Sequence, residues 1–271
     1  MLYYLMKTLT EVEPRIPIPG SDVVVSQFTI DQAGSYYLTG DRVCSGIGIR
    51  VDADNVTIDL MGYSLIGNAT NSNTGIRMYG RNNVEIRNGT IRDFGWRAIA
   101  EFNGNVAKNH RIINIRAISN AQYGTSLEGI LLPGFGHLIK DCTVAYNRAG
   151  GIVVGNDSTV TDNSVYSNGD SATVAVNGIQ TGINCRITNN TVNSNGDSAS
   201  NAVIGINANV GSMISGNMVA ANGNSASGTQ VVGIYGGVGS TISNNTVYKN
   251  GYLASANNVI GISATNSSLV I

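Results

Sequence analysis

Residues 187–196 read ITNNTVNSNG, and residues 242–251 read ISNNTVYKNG. A looser version, VTDNSVYSNG, occupies 160–169, 27 residues before the first. Each phrase carries a β-branched residue in first and sixth place, polar residues between them, and asparagine-glycine at its end. Runs this short, separated by turn-forming residues, read as strands rather than helices. Recurrence at a period of roughly 20–50 residues marks a repeat architecture, in which no unit buries its apolar face alone and stacking builds the core.

A small residue followed by isoleucine opens every unit. The pairs are Gly48-Ile49, Gly75-Ile76, Ala98-Ile99, Gly129-Ile130, Gly151-Ile152, Gly178-Ile179, Gly205-Ile206, Gly233-Ile234 and Gly261-Ile262, at spacings of 22 to 31 residues. A second apolar column runs Ile86, Ile112, Ile139, Val160, Ile187, Ile214, Ile242. A third follows five residues on: Ile91, Ala117, Val144, Val165, Val192, Val219, Val247. Three inward columns of short strands predict an all-β solenoid, one coil per unit. Its nine or so rungs, at ~4.8 Å each, give a length of roughly 40 Å.

Asparagine recurs three residues after the second column (Asn163, Asn190, Asn217, Asn245) and eight after it (Asn120, Asn147, Asn168, Asn195, Asn222, Asn250). Two reasons are expected to act together. Asparagine tolerates the left-handed backbone of a sharp bend, and stacked amides bond along the stack. His110 and His137, the two histidines, fall two residues before the second column in adjacent units and are expected to stack. That line continues Ser158, Cys185, Ser212, Ser240, which favours a structural ladder over a metal site or acid–base pair.

Charged residues make up 12% of the chain and the formal net charge is −1, which speaks against a nucleic-acid or anionic-membrane partner. No apolar run reaches the ~18 residues of a membrane span. Three cysteines, Cys44, Cys142 and Cys185, are too few and too odd for a disulfide framework. Cys142 and Cys185 lie two rungs and so roughly 10 Å apart, beyond bridging distance, and are expected to be free core thiols. The opening MLYYLMKTLTEVEPR lacks the basic, apolar, small-residue order of a secretory signal.

On these columns the chain, over about residues 40–271, resembles the right-handed parallel β-helix superfamily of pectate lyases, polygalacturonases and phage tailspikes. That resemblance implies a right-handed parallel β-helix solenoid with three parallel sheets, a sense that agrees with the rule for parallel crossovers. Residues 1–40, with MKTLTEVEPRIPI and GSYYLTGD, followed by NVTIDLMGYSLIG, resemble the lead-in of bacterial β-helix repeat proteins. The division this implies is an N-terminal lead-in and cap over 1–40 and a solenoid over 41–271. A cap is expected because an open rung exposes strand edges and core. The resemblance also implies that the Gly-Ile strands form a first sheet whose outer face floors a polysaccharide groove, in an extracellular or cell-surface protein. The sequence departs from the enzymes of this group. It has no adjacent Asp-Asp pair and no Asn-Thr-Asp motif, nor clustered carboxylates followed by an arginine. No cofactor is therefore expected, calcium lacks a clear ligand cluster, and no metal site is assigned.

Of the charged residues, only six follow residue 148. The units from 151 onward are regular and polar-neutral, with Gln180, Asn207 and Tyr235 at outward positions, and are expected to bind little selectively. The earlier units break the pattern, as functional sites do. Two residues after the opening small residue stand Arg50 and Arg77, and four after it stand Asp52, Tyr79 and Phe102. The segment RDFGWRAIAEFNGN, 92–105, adds Trp96, the single tryptophan. Arg50, Arg77, Tyr79, Trp96 and Phe102 are therefore expected to bind an acidic glycan, arginine pairing with carboxylates and rings stacking on sugar faces.

If bond cleavage follows, Glu101 and Asp93 are the expected proton-transfer groups of a lyase or glycoside hydrolase, with Arg97 beside them. By strict alternation Glu101 points inward and needs a bulge to reach the face. A cationic line, Arg87, Arg111, Lys140 and Arg186, is expected on the solvated face of the second sheet. The competing reading is a non-catalytic stalk of tailspike or adhesin type. It would be a homo-oligomer through the stacked loops 169–177, 196–204, 223–232 and 251–260, whose Val and Ile either pack back on the body or meet another subunit.

Overall fold

The computed structural model describes residues 15–70, 72–104, 106–123 and 128–271, so most of the expected lead-in lies outside the described residues. Alternation decides which side chains face the core. In Ile49–Val51 and Ile76–Met78 the central arginine is exposed and both neighbours are buried. Such strands pair only in parallel among the described residues, which the short turns allow because each strand returns to its neighbour after a full coil.

The first sheet has ten strands, from Phe28–Ile30 to Val259–Ala264. The opening isoleucines stand in one register: Ile49, Ile76, Ile99, Ile130, Ile152, Ile179, Ile206, Ile234 and Ile262. The second column is likewise continuous from Ile86 to Ile242, and the third from Ile91 to Val247. The second and third sheets are joined because Val84–Arg92 and Arg111–Ile118 run through both, bending at Asn88 (φ 58°) and Asn114 (φ 52°). Ile86, Ile112, Ile139, Ile187 and Ile214 are all 0% exposed. Burying each is worth about 1.5–3 kcal/mol, so the columns are the fold's main support.

The stack begins before residue 41. Ile16–Ile18 pairs with Gly34–Leu38, Ser21–Val25 with Arg42–Cys44, and Phe28–Ile30 with Ile49–Val51. Residues 16–30 thus form a rung of their own, and no break in the stack falls at 40/41.

The bends correct one expectation. The left-handed residue is the one before the ladder asparagine: Asn189 (φ 57°) before Asn190, and Ser194 (φ 53°) before Asn195. Asn190 is not left-handed; it is selected for its amide. Its Nδ2 donates to the Val160 carbonyl (2.9 Å) and to Asn217 Oδ1 (3.0 Å). Its Oδ1 accepts from the backbone N–H (3.0 Å) and Nδ2 (2.9 Å) of Asn163. The buried amide is fully satisfied, and it satisfies backbone groups that the bend removes from the sheets. The Asn120–Asn250 line repeats the arrangement. A third line does the same with hydroxyls, Cys185 N–H donating to Ser212 Oγ and Ser212 N–H to Ser240 Oγ.

All three cysteines are buried and free. Cys142 heads the Asn163 ladder, whereas Cys185 sits in the serine line, so the two occupy different columns. The cationic line is also two columns. Arg87 shares one with Ile113 and Lys140, and Arg111 shares the other with Glu85 and Leu138. Arg87 and Arg111 are both tied to Glu85. Three of the stacked loops close a small core of their own from Ala172, Val176, Ala199, Val203, Ala226 and Val231, and Ala254 and Ala256 of the fourth pack against it partly buried. The apolar residues of those three loops thus pack within the chain, whereas Leu253 and Val259 of the fourth are exposed, at 67% and 46%.

Candidate functional site

Arg50 and Arg77 project from adjacent strands of the first sheet, directly opposite one another. Like charges in that relation repel, so each needs a partner. Arg50 pairs with Asp52 at 2.9 Å. The Arg77 guanidinium lies 4.9 Å from the centre of the Phe102 ring, a cation–π contact. Trp96 extends that aromatic surface, its ring 6.2 Å from Phe102 at 34°. Tyr79 stands free at 57% exposure. Arg50, Asp52, Arg77 and Tyr79 line a depression of about 170 Å³. The five residues expected to bind a glycan are therefore gathered on one face.

The expected proton-transfer groups are not. Glu101 is 0% exposed and faces inward, because Ile99–Glu101 carries no bulge and every residue in it is buried. Its carboxylate accepts the backbone N–H groups of Gly80 (2.6 Å), Asn103 (2.7 Å) and Arg81 (3.1 Å). Burial alone would push its pKa up, but His110 and these backbone donors outweigh burial and hold it below the usual carboxylate value. Glu101 is thus a clamp beneath the turn that follows Tyr79. Asp93 occupies a left-handed bend (φ 59°) and pairs with Arg92. Neither carboxylate lines the depression. Arg97 points to Glu128 instead, its Nε and Nη2 reaching Oε2 at 3.0 and 2.9 Å.

Two residues that matter here were not singled out by their sequence. Arg81 braces the rim, donating to the carbonyls of Tyr79 (2.9 Å) and Asp52 (3.0 Å). Its only signal was a place beside Gly80. Glu128 meets Arg97 from 31 residues away and carried no signal. Among the described residues, no three His, Cys, Asp or Glu side chains converge as a metal site. Among them too, no helix is long and apolar enough to cross a membrane.

The family described as "Right handed beta helix region" matches residues 30–192. Among solved structures, the A-module of mannuronan C-5 epimerase AlgE4 from Azotobacter vinelandii is similar, at 14% identity and a TM-score of 0.58, over 95% of this chain and 88% of that one. Pectate lyase Pel9A is similar at 14% identity and a TM-score of 0.57, over 95% of this chain and 71% of that one. At such identity the likeness is one of fold. No curated protein matches the sequence.

Proposed function

This chain belongs to the right-handed β-helix family, and on that footing we propose that it binds an acidic polysaccharide along the outer face of its first sheet. The observation that carries the reading is the pairing of two arginines on neighbouring rungs with an aromatic platform, Arg77 lying over Phe102 beside Trp96. Guanidinium groups recognise carboxylates, and flat rings accept the apolar face of a sugar. That the structural neighbours are named for mannuronan and pectate supports a glycan as the ligand. Glu101 is engaged in holding a turn and Asp93 in an ion pair with Arg92, which supports binding without bond cleavage. A protein with this role acts outside the cell or at its surface.

The test compares two double variants in binding to polygalacturonate and alginate. Arg77→Ala/Tyr79→Ala removes a cation and a ring, and is expected to cost roughly 2–4 kcal/mol, about 30- to 1000-fold. Thr161→Ala/Thr188→Ala alters the second sheet and is expected to change binding by less than about threefold. Equal effects would remove the first-sheet face from consideration.

A further inference from the structure

The outward column that carries Arg50 and Arg77 continues through Ala100 and Leu131 to Val153 and Gln180. Around the last two the surface sinks into a second depression, of about 290 Å³. Glu128, Gly150, Val153, Val174, Asn177 and Gln180 line it. Its floor at Gly150 has no room for a side chain, since a Cβ there would come within 2.9 Å of the Asn177 carbonyl oxygen and 3.5 Å of Glu128 Cγ. Three strand steps separate Arg77 from Val153, about 14 Å. The two depressions thus lie along one line on one face.

Their chemistry differs. At the second, the Glu128 charge is already matched by Arg97, whose two donors both fall on Oε2, so Oε1 keeps its accepting capacity. The amides are fixed in a relay: Asn207 Nδ2 donates to Asn177 Oδ1 (3.1 Å), and Asn177 Nδ2 donates to Gln180 Oε1 (3.0 Å). Gln180 therefore presents its NH₂ as a donor. Val153 and Val174 supply apolar surface. An acceptor and a donor held over an apolar patch match hydroxyl groups, which donate and accept at once. A carboxylate would meet Glu128 with nothing to donate, and an ammonium would meet the guanidinium behind it. At about 290 Å³ the space is at the low end for small-molecule sites, so it suits a single sugar ring.

We infer that this second depression is a subsite for a neutral sugar unit, and that the ligand is a mixed-charge polysaccharide with uronate and neutral hexose residues. This rests on the glycan-binding reading above and adds the composition of the chain that is bound. It also changes what the regular half does: its first rungs take part in selection rather than serving as plain surface.

The experiment is calorimetric titration with three oligosaccharides of equal length: galacturonate only, glucose only, and a copolymer of uronate with neutral hexose. The copolymer is expected to bind about tenfold or more tightly than either of the others. Gln180→Ala and Val153→Trp, the latter filling the depression, should each weaken copolymer binding about tenfold while leaving galacturonate binding unchanged. Arg77→Ala should weaken both charged ligands. If Gln180→Ala and Val153→Trp leave the copolymer unaffected while Arg77→Ala weakens it, the second subsite is refuted and the first stands. Galacturonate binding as tightly as the copolymer refutes it equally. Should Arg77→Ala also have no effect, or no oligosaccharide bind, the glycan reading itself falls and takes the subsite with it. Circular dichroism of Val153→Trp separates a blocked site from a damaged fold, and Gln180→Ala carries the test alone if that fold is damaged.

Discussion

His137 holds His110 in two ways at once: its Nδ1 accepts the His110 backbone N–H at 3.1 Å, and its ring stacks on the His110 ring at 5.0 Å and 11°. The next residue in the line is Ser158, whose Oγ accepts the His137 N–H at 3.1 Å. Histidine and serine thus do the same work, as acceptors for the rung before, and the pair belongs to the scaffold. His110 Nε2, 3.6 Å from the Glu101 carboxylate and fully buried, has no hydrogen-bond partner among the described residues.

That arrangement predicts an acid sensitivity. Burial, and after it the neighbouring His110, push the His137 imidazole down from 6.5 to about 4. As pH falls below about 6.5 the unfolded chain takes up a proton that the folded chain refuses until about 4. The stability concerned is complete above that window and lost on descending through it, on the order of 3 kcal/mol. Glu101, held below its ordinary value, acts in the same direction at lower pH: its contribution is lost as pH falls through its folded pKa. The melting temperature of the native protein should fall across this window, and that of His137→Ser should fall much less. Parallel pH profiles would show that His137 titrates normally in the folded state.

Asn189 and Asn190 should respond to substitution in opposite ways. Gly216 already occupies the Asn189 position one rung on, at φ 68°. Asn189→Gly is therefore expected to be nearly neutral, and Asn189→Val to cost about 1–2 kcal/mol for the left-handed backbone. Asn190→Gly and Asn190→Ala should both cost more, roughly 2–4 kcal/mol, by leaving the Asn163 N–H and the Val160 carbonyl unpaired. Urea unfolding of the four variants decides. A tolerated Asn190→Gly would mean that backbone shape, not the amide, is what the position requires.

Ile187→Asp places a carboxylate at a fully buried position in the second column. No cation lies opposite it, since its register partners are Val160 and Ile214. The expected loss is about 3 kcal/mol or more, read as a lowered denaturation midpoint. An unchanged midpoint would contradict the register.

The three thiols should be silent until the protein unfolds. Burial pushes Cys142 up to about 12, and pushes Cys44 and Cys185 upward as well. Almost no thiolate is then present at mildly alkaline pH, and the thiolate is the reactive form. A colorimetric thiol reagent should label none in the folded state and all three in denaturant. Rapid labelling of any one of them without denaturant would place it outside the core.

The core columns were legible to the single residue because one apolar position per strand, β-branched in all units but the one with Ala117, repeats through the chain, and pairing makes like residues meet. The bend lies one place from the expected position for a plain reason. Asparagine stands at both 189 and 190, and composition does not say which of two neighbours supplies the backbone and which the side chain. Alternation did place Glu101 inside, as the structure has it. The second depression was not legible. It depends on Glu128, which lies at the end of the longest spacing between units, and on Val174, in a loop whose path is set by packing against other loops rather than by any periodic signal.

The ladder bonds all run one way, each residue giving its backbone N–H to the side chain of the next rung: Asn163 to Asn190, Asn190 to Asn217, Asn217 to Asn245. Because every link is chemically the same, removing residues 187–213 would bring Arg186 to Ile214 and let Asn163 meet Asn217 as it now meets Asn190. The join would be invisible to its neighbours. The length of such a molecule is thus a quantity that gene duplication or in-frame deletion can change in steps of one coil, without re-solving how the polypeptide folds.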